Sequence, residues 1–460
     1  MTSVKKLLQE VFYRQSVLTF GMGNINKSFT LILILIITIS SLSLIFQAIP
    51  LGRAQSGTNE NGIINQDASW TKTNSPYTLT GNILINNQTT ITVEAGTTLN
   101  LNGYYIMVNG KLIVQQGVTI NMQNAAYIQV NGLLSAIGTT SNPIQFNGFT
   151  ESFHIQTIYS SSIIFSESSV GWDEQKSSGS IIENTILNTT SISVASSIKM
   201  ANNNMFGAGL DISEGSPLIT DNILGNGAII TGGSPIISNN AIHFTVTCSA
   251  SNSNQNTNQT AFIANNVISG VPAQYPGITL AGNSLGYNLI IERNLISTGL
   301  FSGNNGIEIG LSNNVKCTVS IINNTITNNN IGINVICGIP QLISGNNFYN
   351  NTFNVKLRES GSIDCPDNWW GTTDQQAINQ SIYDFKNDFN LGTVNFVPFL
   401  TTPNPQALTT STSTPIPTPS PSPTPIPELS WLVILPMLLS MFAVAVVLRH
   451  RKAASSSNQL

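Results

Sequence analysis

The sequence predicts an all-β protein: a right-handed parallel β-helix solenoid with a C-terminal helix-plus-strand cap, followed by a C-terminal transmembrane helix. Three observations predict it. The chain echoes itself at a short interval: "YIMVNGKL" (105–112) returns as "YIQVNGLL" (127–134), 22 residues on, and "VEAGTTLNL" (93–101) returns as "VQQGVTINM" (114–122), 21 residues on. Further along, an asparagine recurs beside an apolar pair, at Asn184, Asn204, Asn222, Asn240, Asn266, Asn294, Asn324, Asn347 and Asn368, at intervals of 20, 18, 18, 26, 28, 30, 23 and 21 residues. Finally, residues 77–370 nowhere sustain the i, i+3, i+4, i+7 apolar spacing of a helix, and the LxxLxLxxN pattern is missing, which sets aside helical and leucine-rich repeats.

Periods near 20 residues with short alternating strands describe coils stacked one strand spacing apart, about 4.8 Å. Aliphatic side chains then point inward and stack on the same residue type one coil up. Asparagine suits the corner between strands, because it tolerates the left-handed region and its amide bonds its counterpart in the next coil. The longest intervals place extra residues in outward loops, at 247–261 and 269–277. About a dozen coils give a stack on the order of 60 Å long.

From the N-terminus, an apolar run at 29–49 follows Lys27 and precedes Gly52 and Ala54. It reads as a secretory signal over 1–54, cut after Ala54, with Met22 a candidate for the true start and an uncleaved anchor as the alternative. Residues 55–76 read as an N-terminal linker and 77–373 as the β-helix, with a polar bulge at 166–180. Residues 374–400 read as a cap, in which Ile378, Ile382 and Phe385 stand near helical spacing before "TVNFVPFL" returns to strand. A cap is required because an open last coil exposes an edge that recruits other chains. Residues 401–430 form a Thr/Ser/Pro stalk, extended at about 3.1 Å per residue. Residues 431–448 are uncharged and long enough to cross a hydrocarbon core, and the basic residues that follow place 449–460 in the cytoplasm. The fold is therefore expected at the cell surface, on a single membrane pass. Only 8% of the 460 residues are charged and the net charge is −4; without Lys/Arg clusters this argues against a nucleic-acid partner.

The opening "TLTGNILINNQTTITVEAGTTLNLNGYYIMVNGKL" and the closing "NWWGTTDQQAINQSIYDFKNDFNLGTVNFVPFL" resemble the first coils and the cap of secreted and surface right-handed β-helix proteins common in archaea. The asparagine-framed middle is similar to the repeat domains of pectin- and alginate-acting enzymes (the pectate-lyase-like group) and of the periplasmic copper-binding accessory proteins of nitrous oxide reductase. The tail resembles archaeal C-terminal surface-anchor signals, with Leu429 where some of those carry Phe. Such a resemblance implies a fold; it does not fix an activity.

Pectin hydrolysis on this fold uses patterns such as NTD, DD, GHG and RIK. None is present, His154, His243 and His450 stand in other contexts, and no catalytic residue is assigned. Asp211, Thr279, Glu308 and Asn334 share one frame position and are expected on an outer binding face. Asp211 and Glu308 fall four coils apart, about 19 Å, against the 5–9.5 Å of glycosidase carboxylate pairs. Asp211, Glu214 and Asp221 form an acidic group that could offer oxygen ligands to Ca2+, with a solvated face as the alternative; no other cofactor or metal is expected. Lys356, Arg358 and Glu359 make a compact charged group, either a base beside a carboxylate-neutralising arginine or salt-linked surface charge.

Cys317 and Cys337 fall on adjacent coils and could bridge outside the cytoplasm, or remain buried thiols. With Cys248 and Cys365 they lack the spacing and histidine partners of a zinc or copper site. Trp369 and Trp370 read as closure of the core at the cap rather than a sugar-stacking face. Glycosylation sequons occur at Asn87, Asn188, Asn258, Asn323, Asn350 and Asn379. The expected function is non-catalytic: a surface protein, structural, adhesive or glycan-binding, that shows Asn/Thr/Ser faces to envelope glycans or other surface proteins. The alternative is a carbohydrate-active enzyme, a polysaccharide lyase or epimerase, whose site assembles across coils. A copper-accessory role would need Met, His or Cys side chains clustered at one end.

Overall fold

The computed structural model describes residues 57–148, 161–249, 259–282, 287–311 and 318–408. The expected signal, membrane segment and tail, residues 409–430 of the stalk, and His154, Asn258 and Cys317 lie outside these residues. Among the described residues no helix is long and apolar enough to cross a membrane.

The described chain is an all-β solenoid of parallel strands, each turn of chain contributing to three faces. The first face runs from Ala68–Trp70 through Thr90–Val93, Lys111–Val114 and Leu133–Ile137 to Leu342–Ser344. The second carries Thr98–Asn100, Thr119–Met122 and Ile144–Gly148 and ends at Asn347–Tyr349. The third carries Ile106–Val108, Tyr127–Val130 and Ser161–Phe165 and ends at Ile382–Tyr383.

Strand alternation explains why these short segments pair: one side chain in two points inward. On the third face an unbroken inward column runs Ile83, Ile106, Ile128, Ile163, Ile192, Leu210. It continues Ala228, Val246, Ile278, Ile307, Ile333, Val355, Ile382. Every member is buried. Each aliphatic side chain so buried is worth about 1.5–3 kcal/mol, and stacking like on like keeps the cross-section constant from coil to coil. The opening echo is one such step. Tyr105 and Tyr127 stand on neighbouring coils with their rings stacked at 5.0 Å. In the repeated Asn-Gly, Asn131 Nδ2 donates to Asn109 Oδ1 at 2.9 Å, while Gly132 packs so close to the Gly110 carbonyl that no Cβ fits between them.

The asparagine frame is a buried hydrogen-bonded ladder, and it corrects three expected positions. The ladder runs Asn203, Asn222, Asn240, Asn266, Asn294, Asn324, Asn346, Asn368. Asn204 and Asn347 are one residue past it and begin strands. Asn184 is one residue short and sits in the left-handed corner at φ 50°; Thr185 takes the ladder place, its hydroxyl donating to Asn203 Oδ1. The residue before each ladder asparagine turns the corner: Asn202, Asp221, Asn239, Asn265, Arg293, Asn323, Gly345 and Asp367 all have positive φ. A polar corner cut off from water must have its backbone groups paired, and the ladder amides do this.

Both ends of the stack differ from expectation in extent. The expected linker at 55–76 is already the first coil from residue 58: Thr58–Ile64 pairs with Tyr77–Ile85, and Ala68–Trp70 with Thr90–Val93. Trp70 is buried there against Tyr77, with ring centroids 5.6 Å apart. At the other end the helix Gln375–Gln380, capped by the Asp374 side chain, buries Ile378. Ile382 is a strand residue of the third face, and Phe385 is exposed rather than continuing a helical face. Trp370 stacks on Phe348 at 5.1 Å and closes the core, as expected of a cap residue. The described chain also reaches into the expected stalk: Asn404 bonds Asn347, Asn323 and Gly345, and Ala407 is buried.

Candidate functional site

The outward side of the third face places the expected binding residues in one column. Asp211, Ile229, Thr247, Thr279, Glu308, Asn334, Lys356 and Tyr383 are successive strand partners. Asp211 and Glu308 are therefore four strands apart, about 19 Å, and do not form an acid/base pair with each other.

The members differ in environment. Asp211 is exposed, yet partial loss of hydration raises its carboxyl pKa. Asn334, expected to face solvent, is buried, because its amide is covered on both sides. Its Nδ2 donates to Glu308 Oε2 at 3.0 Å, and its Oδ1 accepts from Arg358 Nε at 3.2 Å. Asn305 Nδ2 also donates to Glu308 Oε2, at 2.7 Å. The result is a fixed row, Asn305–Glu308–Asn334–Arg358.

Lys356 lies beside this row. Its Nζ sits 4.3 Å from the Tyr383 ring centroid and 5.8 Å from that of Phe353, within cation–π range. Burial, and then the Arg358 charge, lower its pKa. The sequence leaves salt-linked surface charge as one expectation for Lys356, Arg358 and Glu359. Among the described residues, neither Lys356 nor Arg358 has a carboxylate partner; the ion pairs are Lys176–Asp173, Lys199–Glu174, Arg293–Glu292 and Lys386–Asp384.

Asp211, Glu214 and Asp221 do not converge. Asp211 is mid-strand on the third face, Asp221 turns the corner after Leu218–Thr220, and Glu214 accepts from Gln259 at 3.4 Å. Among the described residues no group of three or more His, Cys, Asp or Glu side chains is arranged to hold a metal ion. Cys337 carries a free thiol, and Cys317, its expected partner, lies outside the described residues.

Sequence reasoning placed Lys356 and Arg358 together but missed Phe353 and Tyr383 as their companions. Tyr383 falls in the expected cap, 27 residues beyond Lys356, and only the pairing of Lys356 with Tyr383 joins them. No protein-family model matches the chain, and no curated protein matches it.

Proposed function

We propose that the chain is a non-catalytic cell-surface protein: a right-handed β-helix held outside the membrane by a helix over 431–448, its outer faces binding envelope glycans or neighbouring surface proteins. The observation that carries this reading is the register of the third face. Thr247, Thr279, Glu308 and Lys356 share one outward register position, with the buried Asn334 holding the place between Glu308 and Lys356. A ligand with a repeating backbone meets that position once per strand spacing, and weak contacts add by multivalency. The right-handed sense is the one that parallel crossovers adopt.

The test is glycan-array binding by the full chain, run beside a polysaccharide degradation assay. Saturable binding with no shortening of the bound polymer is expected; turnover of any uronic-acid polymer overturns the non-catalytic reading. One observation favours a second reading, a polysaccharide lyase or epimerase. Lys356, its pKa lowered by burial and then by the Arg358 charge, stands two residues from Arg358 and has the chemistry of a proton-abstracting base next to a charge that neutralises a carboxylate.

A further inference from the structure

The last strand but one of the third face carries two cations, and among the described residues neither is paired with an anion. Lys356 and Arg358 are two residues apart on the strand Phe353–Leu357 and its continuation, so both lie on the outward side, about 7 Å apart along the chain. Each is held by a neutral group. Lys356 rests on the Tyr383 and Phe353 rings. Arg358 uses Nε to donate to Asn334 Oδ1, and no protein partner is seen for its two terminal amino groups among the described residues. The nearest carboxylate along the column, Glu308, already accepts from Asn305 and Asn334. Two like charges side by side repel, and among the described residues neither forms an ion pair with a carboxylate. An anion with two or more oxygens relieves the repulsion and takes charge-assisted hydrogen bonds from both side chains.

We propose that Lys356 and Arg358 form a subsite for an anionic oxygen group, a carboxylate or a sulfate ester, carried on a glycan laid along the third face. Asn334 is a positioning residue that sets the guanidinium, and Glu308 repels a second anion one coil beyond it. This deepens the surface-binding reading and rests on it.

The experiment uses the full chain and three probes with one backbone: dextran sulfate, carboxymethyl-dextran and unsubstituted dextran, with affinities measured by interferometry. Wild type is expected to bind at least one charged polymer tenfold or more above plain dextran, and the preferred one names the substituent. K356M and R358Q are each expected to lose about tenfold or more, K356R to retain binding, and E308Q to tighten it severalfold. Thermal melts within a few degrees of wild type establish that these variants are folded. Equal binding of charged and plain dextran by wild type overturns the subsite, as does unchanged binding by folded K356M and R358Q. The glycan-array result is read separately, so failure of the subsite and failure of the surface-binding reading are distinguishable.

Discussion

Asn294 donates twice to a single atom of Asn324 one coil on: its backbone N–H reaches Oδ1 at 2.9 Å and its side-chain Nδ2 reaches the same Oδ1 at 3.0 Å. Its Nδ2 also donates to the Ile263 carbonyl at 2.8 Å, and its own Oδ1 accepts both donors of Asn266. Asn294→Ala therefore leaves the Ile263 carbonyl and two Asn266 donors short of a partner in a buried corner. The expected loss is about 3 kcal/mol or more, read from urea unfolding of the full chain. Asn87→Ala, at an exposed loop position, is expected to stay within about 0.5 kcal/mol of wild type.

Trp370 closes the second-face core column on Phe348. Trp370→Ala opens that column at its end, with an expected loss of about 3–5 kcal/mol. It also bares the last coil to other chains. Urea unfolding and size-exclusion chromatography check both effects, and loss of stability with a rise in oligomer is the expected pair.

The thiols of Cys337 and Cys365 should react differently. Cys365 is buried, and burial, with Asp364 nearby, pushes its thiol pKa far above the ordinary range. Cys337 is only partly covered. Because the thiolate is the nucleophile, iodoacetamide at mildly alkaline pH should label Cys337 in the native chain and Cys365 only after denaturation. Peptide mass spectrometry reads the difference.

Asp211 gives a pH-dependent stability effect. Its folded pKa is raised by desolvation, so the folded state holds its proton more tightly than the unfolded state does. Its contribution to stability is present below the unfolded pKa and is lost as pH rises through the folded one. Asp211→Asn is expected to melt above wild type near about pH 7 and to converge with it near about pH 3. A gap that widens on acidification would reverse the sign.

Much of the stack was readable because like residues sit on like. The echoes at 93/114 and 105/127 are strand partners' neighbourhoods, and the aliphatic columns follow from alternation. The ladder was misplaced by one residue at Asn204 and Asn347 because "NNN" and "NN" runs offer adjacent asparagines, and only backbone φ tells the corner residue from the ladder residue. The first coil looked like a linker because Thr58–Ile64 is largely exposed, with a register shift between Glu60 and Gly62, which blurs its alternation. Within the candidate site, the shared column of Asp211, Thr279, Glu308 and Asn334 was legible from spacing. The burial of Asn334 and the Lys356–Tyr383 contact were not, since both depend on neighbours from other coils.

Coils of unequal length keep register on the first face. Ser238 and Ala264 test this, because they are strand partners although 26 residues separate them. Ser238→Cys with Ala264→Cys, mildly oxidised in the folded full chain and read by peptide mass spectrometry, is expected to form a disulfide, since strand partners lie about 4.8 Å apart. Ser238→Cys with Glu292→Cys, two coils apart, is expected to form none. A bond in the second pair and not the first would contradict the stacking.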